Sequence, residues 1–74
     1  MTRKRIVYRT HAVRRLRQRR ITRQQVRQLL ATGTWRRQGI SKWLVDGRLE
    51  RWPARLVVQQ SADTITVITV MWIE

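Results

Sequence analysis

The sequence predicts a single α+β domain over residues 1–74, in which two N-terminal helices pack on one face of an antiparallel sheet of four to five strands. Two observations support this fold class. Over residues 11–32 the apolar residues recur at helical spacing, whereas after Gly33 they alternate with polar residues as in strands. The predicted order of elements is β-α-α-β-β-β-β, and a length of 74 residues suits one domain.

The first elements are a short strand and an arginine-rich helix. Residues 4–9 alternate, with Ile6 and Tyr8 on one face, and predict a strand. Thr10 is a favourable N-cap residue because its hydroxyl can accept a hydrogen bond from a first-turn amide, so we expect a helix over residues 11–19. Its apolar stripe consists of Ala12, Val13 and Leu16. Because this stripe is thin, we expect most of the helix to face solvent or a ligand.

The second helix is predicted over residues 22–32. Thr22 and Gln25 have the spacing of a capping box, in which each side chain bonds the backbone amide of the other residue. The apolar stripe at i, i+3 and i+4 consists of Val26, Leu29 and Leu30. Gly33 follows, and we expect it to end the helix in a left-handed conformation.

A hairpin is predicted in the middle of the chain. Residues 40–45 and 48–52 show the alternation of strands, and they flank Asp46-Gly47, a dipeptide that favours a two-residue hairpin turn. Pro53 has no amide to donate, so it should border a strand.

The last two strands are predicted over residues 54–60 and 64–73. In the second of these, both faces are mostly apolar from Val67 onward, which indicates a central strand covered on one side by helices. Trp43 and Trp72 occupy strand positions, where we expect aromatic residues to belong to the core.

Basic residues dominate the first part of the chain. The first 45 residues hold 14 of the 17 lysines and arginines and none of the four acids, and the formal net charge is +13. So much like charge on a small domain is unfavourable unless an anion shares the surface. The expected partners are a nucleic acid, an acidic protein, or both in turn. No segment is apolar enough for a secretory signal or a membrane span, so we expect a cytoplasmic protein without a membrane partner.

One stripe of the first helix carries candidate catalytic residues. His11, Arg15 and Arg19 are spaced by four residues, which places them on one side of a helix. An imidazole transfers protons near neutral pH, and guanidinium groups hold a phosphate and stabilise the charge that develops on it. These groups suit cleavage of RNA by attack of the 2′-hydroxyl on the adjacent phosphate. The alternative is an exposed histidine on a solvated charged face.

Other chemistries have little support in the composition. The chain has one histidine, no cysteine and four scattered acids, so neither a metal site nor a thiol nucleophile is predicted, and no cofactor is expected. Tyr8 is a candidate second proton-transfer or stacking group. The remaining basic candidates are expected to contact phosphates or an acidic partner without reading base sequence. They are Arg14, Arg17, Arg20, Arg23, Arg27, Arg36, Arg37 and Lys42.

The opening helix resembles that of a known family. The motif HAVRRLRQRRI at residues 11–21 is similar to the HAxxRMxxRxI opening of domain-of-unknown-function family 4258. The resemblance covers nearly the whole chain, from about residue 5 to residue 72. Arg20 stands where this family often has glycine, and Leu16 stands where it often has methionine.

The family looks like a small relative of the RelE/ParE and BrnT toxins. This resemblance implies a compact RelE/BrnT-like fold, an acidic antitoxin partner and ribonuclease activity on messenger RNA, and it matches His11, Arg15 and Arg19 to the family motif. The leading hypothesis is a toxin-like, metal-independent endoribonuclease acting on RNA, including ribosome-bound messenger RNA. The alternatives are a non-catalytic nucleic-acid-binding module and a basic partner of an acidic protein. The oligomeric state stays open.

Overall fold

The computed structural model describes residues 4–73, which form one five-stranded sheet and two helices. The elements in chain order are β1 (Arg5–Tyr8), α1 (Thr10–Arg19), α2 (Arg23–Thr32), β2 (Thr34–Arg37), β3 (Lys42–Leu49), β4 (Trp52–Gln60) and β5 (Thr64–Trp72). The predicted α+β class, with two helices after the first strand, is confirmed.

The sheet is mixed and open, with the strand order β1-β5-β4-β3-β2. β1 runs parallel to β5, with Tyr8 opposite Val67, and the other neighbouring strands are antiparallel. The prediction of an antiparallel sheet is therefore wrong at this edge. Both helices and three strands separate β1 from β5 along the chain, so no hairpin fixes their relative direction, and a parallel pair requires such a long connection.

Both helices pack on the same face of the sheet, α1 over β5 and α2 over β3. One buried cluster joins Ala12, Leu16, Val26 and Leu29 of the helices to Val45, Leu56, Val58, Val67 and Val70 of the strands. The apolar stripe of α1 is as thin as predicted, because Val13 is only half-buried. Most of the arginine-rich surface of α1 therefore faces outward, and the opposite face of the sheet is not covered by either helix.

A Schellman motif ends α1. The amide of Ile21 donates to the carbonyl oxygen of Leu16 at 3.0 Å, and the amide of Arg20 donates to that of Arg17 at 3.3 Å. Arg20 has φ 55° and ψ 44°, a left-handed conformation that glycine adopts without steric strain. The structure thus explains why glycine suits this position and shows that an arginine occupies it here.

The capping box predicted for α2 is confirmed. The amide of Gln25 donates to Thr22 Oγ1 at 3.1 Å, and the amide of Thr22 donates to Gln25 Oε1 at 2.9 Å. The predicted cap of α1 is wrong, because Arg9 occupies the N-cap position without a side-chain cap hydrogen bond and Thr10 is the first helical residue.

The hairpin turn predicted at Asp46-Gly47 is wrong. Both residues lie inside β3, and the chain turns instead at Glu50 and Arg51, where Glu50 has φ 61°. A Cβ atom on Gly47 would lie 2.8 Å from Leu29 Cδ2. This glycine therefore allows α2 to approach β3 and does not form a turn.

Gly33 also departs from its prediction. Its φ of −74° and ψ of 166° are extended, so the left-handed cap is wrong. A Cβ atom there would lie 2.6 Å from the carbonyl oxygen of Leu29 and 2.9 Å from that of Asp46. The close contact between the end of α2 and β3 requires the glycine, because backbone atoms cannot move aside as a flexible side chain can.

A bulge interrupts β5. Adjacent residues of β4 pair with Thr69 and Val67, so Ile68 is an extra residue in the ladder. As a result Val67 and Val70, three positions apart, are both fully buried in the core. A strand that alternates without a bulge would place these two residues on opposite faces of the sheet.

The tryptophans divide into two pairs. Trp35 and Trp43 pack against the core, and their rings meet edge-to-face with centroids 5.9 Å apart. Trp35 Nε1 donates a hydrogen bond to the carbonyl oxygen of Leu30 at 3.1 Å. Trp52, at the start of β4, is 61% exposed, and Trp72, at the end of β5, is 38% exposed. The predicted core position is therefore confirmed for Trp43 and wrong for Trp72.

Candidate nucleic-acid interface

His11 and Arg15 contact each other on the outer surface of α1. Arg15 Nε donates to His11 Nε2 at 3.2 Å, and Arg15 Nη1 donates to Gln18 Oε1 at 3.0 Å. A guanidinium group can only donate, so Nε2 carries a lone pair and no proton in this contact. The imidazole is exposed, and one helical turn fixes its position relative to the guanidinium group. Gln18 was not among the predicted site residues, although its i+3 spacing from Arg15 is visible in the sequence.

Arg19 lies one further turn along the same side of α1. It is half-buried, and no hydrogen bond joins it to His11 or Arg15 within residues 4–73. Its place in the last turn favours a cation, because the carbonyl ends of the helix carry partial negative charge. We call His11, Arg15, Gln18 and Arg19 the histidine flank.

Tyr8 lies in a different neighbourhood from the histidine flank. Its ring packs against the core, and the guanidinium carbon of Arg23 lies 4.8 Å from the ring centroid. The Tyr8 hydroxyl is buried and has no hydrogen-bond partner in the described part of the chain. Burial raises the pKa of this hydroxyl, and the charges of Arg23 and Arg27 partly oppose the rise. The structure therefore groups Tyr8 with the arginines of α2.

A cavity of about 500 Å³ that is wide open to solvent lies where the end of α1 meets the start of α2, on the other flank of α1. Its apolar lining comes from Val13, Leu16 and Ile21, and its cationic lining comes from Arg17, Arg20 and Arg23. None of the residues of the histidine flank lines this cavity. The basic helical layer therefore presents two separate surfaces, and we call the second one the interhelical cavity.

The other predicted binding residues differ in what they already contact. Arg14 and Arg27 are exposed on the helices, and Lys42 is exposed at the start of β3. Arg37 donates to the carbonyl oxygens of two loop residues at 3.2 and 3.0 Å, and it also lies 5.7 Å from the ring centroid of Trp43. Arg37 thus holds the loop after β2, and its guanidinium group is partly used within the protein.

Asp46 pairs with two arginines on the uncovered face of the sheet. It accepts two hydrogen bonds from Arg55, at 2.7 and 2.9 Å, and one from Arg36 at 3.2 Å. The Arg55 hydrogen bonds are the main reason that the pKa of the Asp46 carboxyl lies below its usual range, and Arg36 adds to the effect. Arg36, which was predicted to bind phosphate, is exposed, and its one hydrogen bond goes to a carboxylate that it shares with Arg55.

Both ion pairs found within residues 4–73 involve Asp46. The arginines of α1 and α2 therefore have no acidic partner in the described structure. Within residues 4–73, no three histidine, cysteine or acidic side chains lie close enough together to hold a metal ion. Neither helix has the length and apolar character needed to cross a bilayer.

The fold and this surface define a small, strongly basic α+β protein whose helical layer presents guanidinium groups to the outside. A family model described as a domain of unknown function (DUF4258) matches residues 8–72, so the chain belongs to this family, and the predicted resemblance to family 4258 is confirmed. No curated protein and no solved structure matches the chain.

Proposed function

We propose that the protein is a toxin-like, metal-independent endoribonuclease with a RelE/BrnT-like fold that acts on RNA, including ribosome-bound messenger RNA. The observation that carries the proposal is the contact of His11 with Arg15 on an exposed helix surface. This contact places a proton acceptor beside a guanidinium group, and no acid of the described chain pairs with that guanidinium group. RNA brings the 2′-hydroxyl and the phosphodiester that this pair of groups can use.

The proposed reaction is an internal transfer at phosphorus. RNA draws the Arg15 guanidinium group from His11 Nε2 to the phosphate, which frees the lone pair of that nitrogen. His11 Nε2 then takes the proton of the 2′-hydroxyl, the 2′-oxygen attacks the phosphorus, and the bond from phosphorus to the 5′-oxygen breaks. The departing 5′-oxygen takes up a proton from water, and His11 returns its proton to the solvent, which leaves a 2′,3′-cyclic phosphate and a 5′-hydroxyl. Arg15 Nη2 is not engaged in a hydrogen bond within residues 4–73, so it can donate to the phosphate, and Arg19 supplies further positive charge. Tyr8 takes no step here, because its hydroxyl is buried.

A cleavage assay with purified protein and a defined single-stranded RNA tests this proposal. In the presence of a chelator we expect 2′,3′-cyclic phosphate ends, and we expect His11→Ala to lower the rate by at least about tenfold, since general acid–base groups contribute about 10²–10⁴-fold. Gln28→Ala, an exposed change on α2, is the matched control and should cleave at the wild-type rate. Equal rates in His11→Ala and the wild type would remove His11 from the reaction.

The second candidate function is a binding module without catalysis. It is favoured by the position of His11, which is exposed and outside the interhelical cavity. In this alternative the helical layer binds RNA, or an acidic protein such as an antitoxin, by electrostatic attraction and without cleavage. Salt dependence is steep in both cases, so turnover decides between them. Tight binding of RNA with no cut product, with and without ribosomes, would favour the module.

An acidic antitoxin is the protein partner in the proposed toxin system. Its acidic surface would compete with RNA for the same guanidinium groups, because both partners are polyanions. Growth arrest on expression of the chain, relieved by co-expression of a small acidic protein from a neighbouring gene, would support the toxin over the module. Relief without any RNA cleavage would favour a basic partner of an acidic protein.

A further inference from the structure

Arg20 combines an unfavourable backbone conformation with a position at the interhelical cavity. Its left-handed φ and ψ favour glycine, because a Cβ atom there crowds the following carbonyl oxygen. The Schellman hydrogen bonds fix this conformation whatever the side chain is. An arginine therefore destabilises the turn compared with glycine, and its guanidinium group is the feature that a glycine would lack.

The cavity concentrates positive charge with nothing to balance it. Arg17, Arg20 and Arg23 line the same space, and none of them has a hydrogen bond or ion pair to a side chain within residues 4–73. Only Arg23 has an aromatic contact, with the ring of Tyr8. Three exposed arginines line one space without an internal carboxylate, so an anion that their flexible guanidinium groups can reach together would be favoured.

The remaining lining suits more than a bare anion. Val13, Leu16 and Ile21 provide an apolar wall beside the arginines of this open space. Thr22 also lines the cavity, so the start of α2 faces it. The capping box uses the amides of Thr22 and Gln25, which leaves the amides at the first two positions of α2 to add to the attraction for a phosphate.

We propose that the interhelical cavity binds one nucleotide unit of single-stranded RNA. The phosphate lies among Arg17, Arg20 and Arg23, and the base lies against the apolar wall. A single strand is required because only unstacked bases can enter a cavity. The proposal rests on the proposed function in naming RNA as the polyanion. The binding site in the cavity and the cleavage site at the histidine flank then lie on opposite flanks of α1.

Adenosine 5′-monophosphate is the probe, with inorganic phosphate and adenosine as its two halves. We expect the mononucleotide to bind more tightly than either half and to shift the amide resonances of Arg23 and Gln24. Arg20→Gly should weaken this binding by about tenfold, through loss of a charge-assisted contact. The same variant should unfold at a temperature about 4–8 °C higher, because glycine relieves the left-handed conformation.

Two further variants separate charge from backbone. Arg20→Ala removes the guanidinium group and keeps the Cβ atom, so it should bind as weakly as Arg20→Gly without the gain in unfolding temperature. Arg51→Ala removes one positive charge from the exposed β3–β4 loop, away from the cavity, and should bind the mononucleotide as the wild type does.

Wild-type affinity in Arg20→Gly, or amide shifts confined to the histidine flank, would overturn the cavity proposal. Equal affinities for inorganic phosphate and the mononucleotide would overturn the nucleotide as its ligand. The proposed function fails separately from the cavity. RNA cleavage with normal RNA affinity in Arg20→Gly would reject the cavity alone, whereas mononucleotide binding in the cavity without any RNA cleavage would reject the nuclease alone.

Discussion

The arginines on the two faces of this protein differ in their partners. On the uncovered face of the sheet, Arg36 and Arg55 share the carboxylate of Asp46. On the helical face, the arginines of α1 and α2 have no acid within the described chain. Arginine content alone therefore does not mark a binding surface. A guanidinium group with an internal carboxylate stabilises the sheet, while one without such a partner keeps its charge for an external anion.

Gly33 tests whether the helical face depends on the close contact of α2 with β3. Gly33→Ala should lower the free energy of unfolding by about 3 kcal/mol, because the new methyl group meets the backbone oxygens of Leu29 and Asp46. Gly39→Ala is the matched control, since its Cβ atom would lie 3.7 Å from Lys42 Cβ, an ordinary contact. Urea unfolding measures both variants. A similar loss in the two would mean that α2 can withdraw from β3 without a large penalty.

Substitutions of Arg27 on the helical face and of Arg55 on the uncovered face of the sheet compare how each face contributes to the salt dependence of RNA binding. If the helical arginines contact RNA phosphates, Arg27→Gln should reduce the slope of log affinity against log salt by about 0.7, the effect of one phosphate contact on a single strand. Arg55→Gln should leave the slope unchanged, because Asp46 already holds that guanidinium group. Filter binding of a defined RNA at several salt concentrations measures both slopes. Equal changes would abolish the distinction between the faces.

Asp46 should give the smallest effect, and one that depends on pH. Its pKa in the folded protein lies below the ordinary value of 3.8, so the carboxylate stabilises the fold above that pH and the stabilisation is lost as the pH falls through the folded pKa. Asp46→Asn should therefore lose about 1 kcal/mol near neutral pH and little in strong acid.

Glu50→Gln is the control for this experiment, because it makes the same charge change on an exposed loop residue. Thermal unfolding between pH 2 and pH 7 measures the two variants. A loss in Asp46→Asn that is independent of pH would show that packing, and not the ion pairs, explains the effect.

Contacts between near neighbours in sequence could be predicted, whereas contacts that depend on packing could not. The capping box of Thr22 and Gln25 and the i+4 spacing of His11 and Arg15 each lie within one helical turn. The glycine at position 47 has the local signature of a hairpin, but its role depends on Leu29 of α2, which lies above it only in the folded sheet.

The arrangement of the candidate site shows the same limit. The separation of Tyr8 from the histidine flank follows from the packing of α2 and has no signature in sequence spacing. The pairing of Asp46 with Arg55 depends on the register of β3 and β4, and the predicted hairpin turn gave the wrong register. Arg20 could be predicted in part. The sequence shows an arginine where the family often has glycine, but it does not show the left-handed backbone conformation.

Gly33 and Gly47 have a consequence for association. Because no side chain separates the end of α2 from β3 at these positions, the last turns of the helix pack directly on the strand. Arg27 lies within one turn of the buried Leu29, so its backbone is held by this packing, and an incoming polyanion needs to order only its outer side-chain atoms. Such preorganisation reduces the entropy lost when a complex forms.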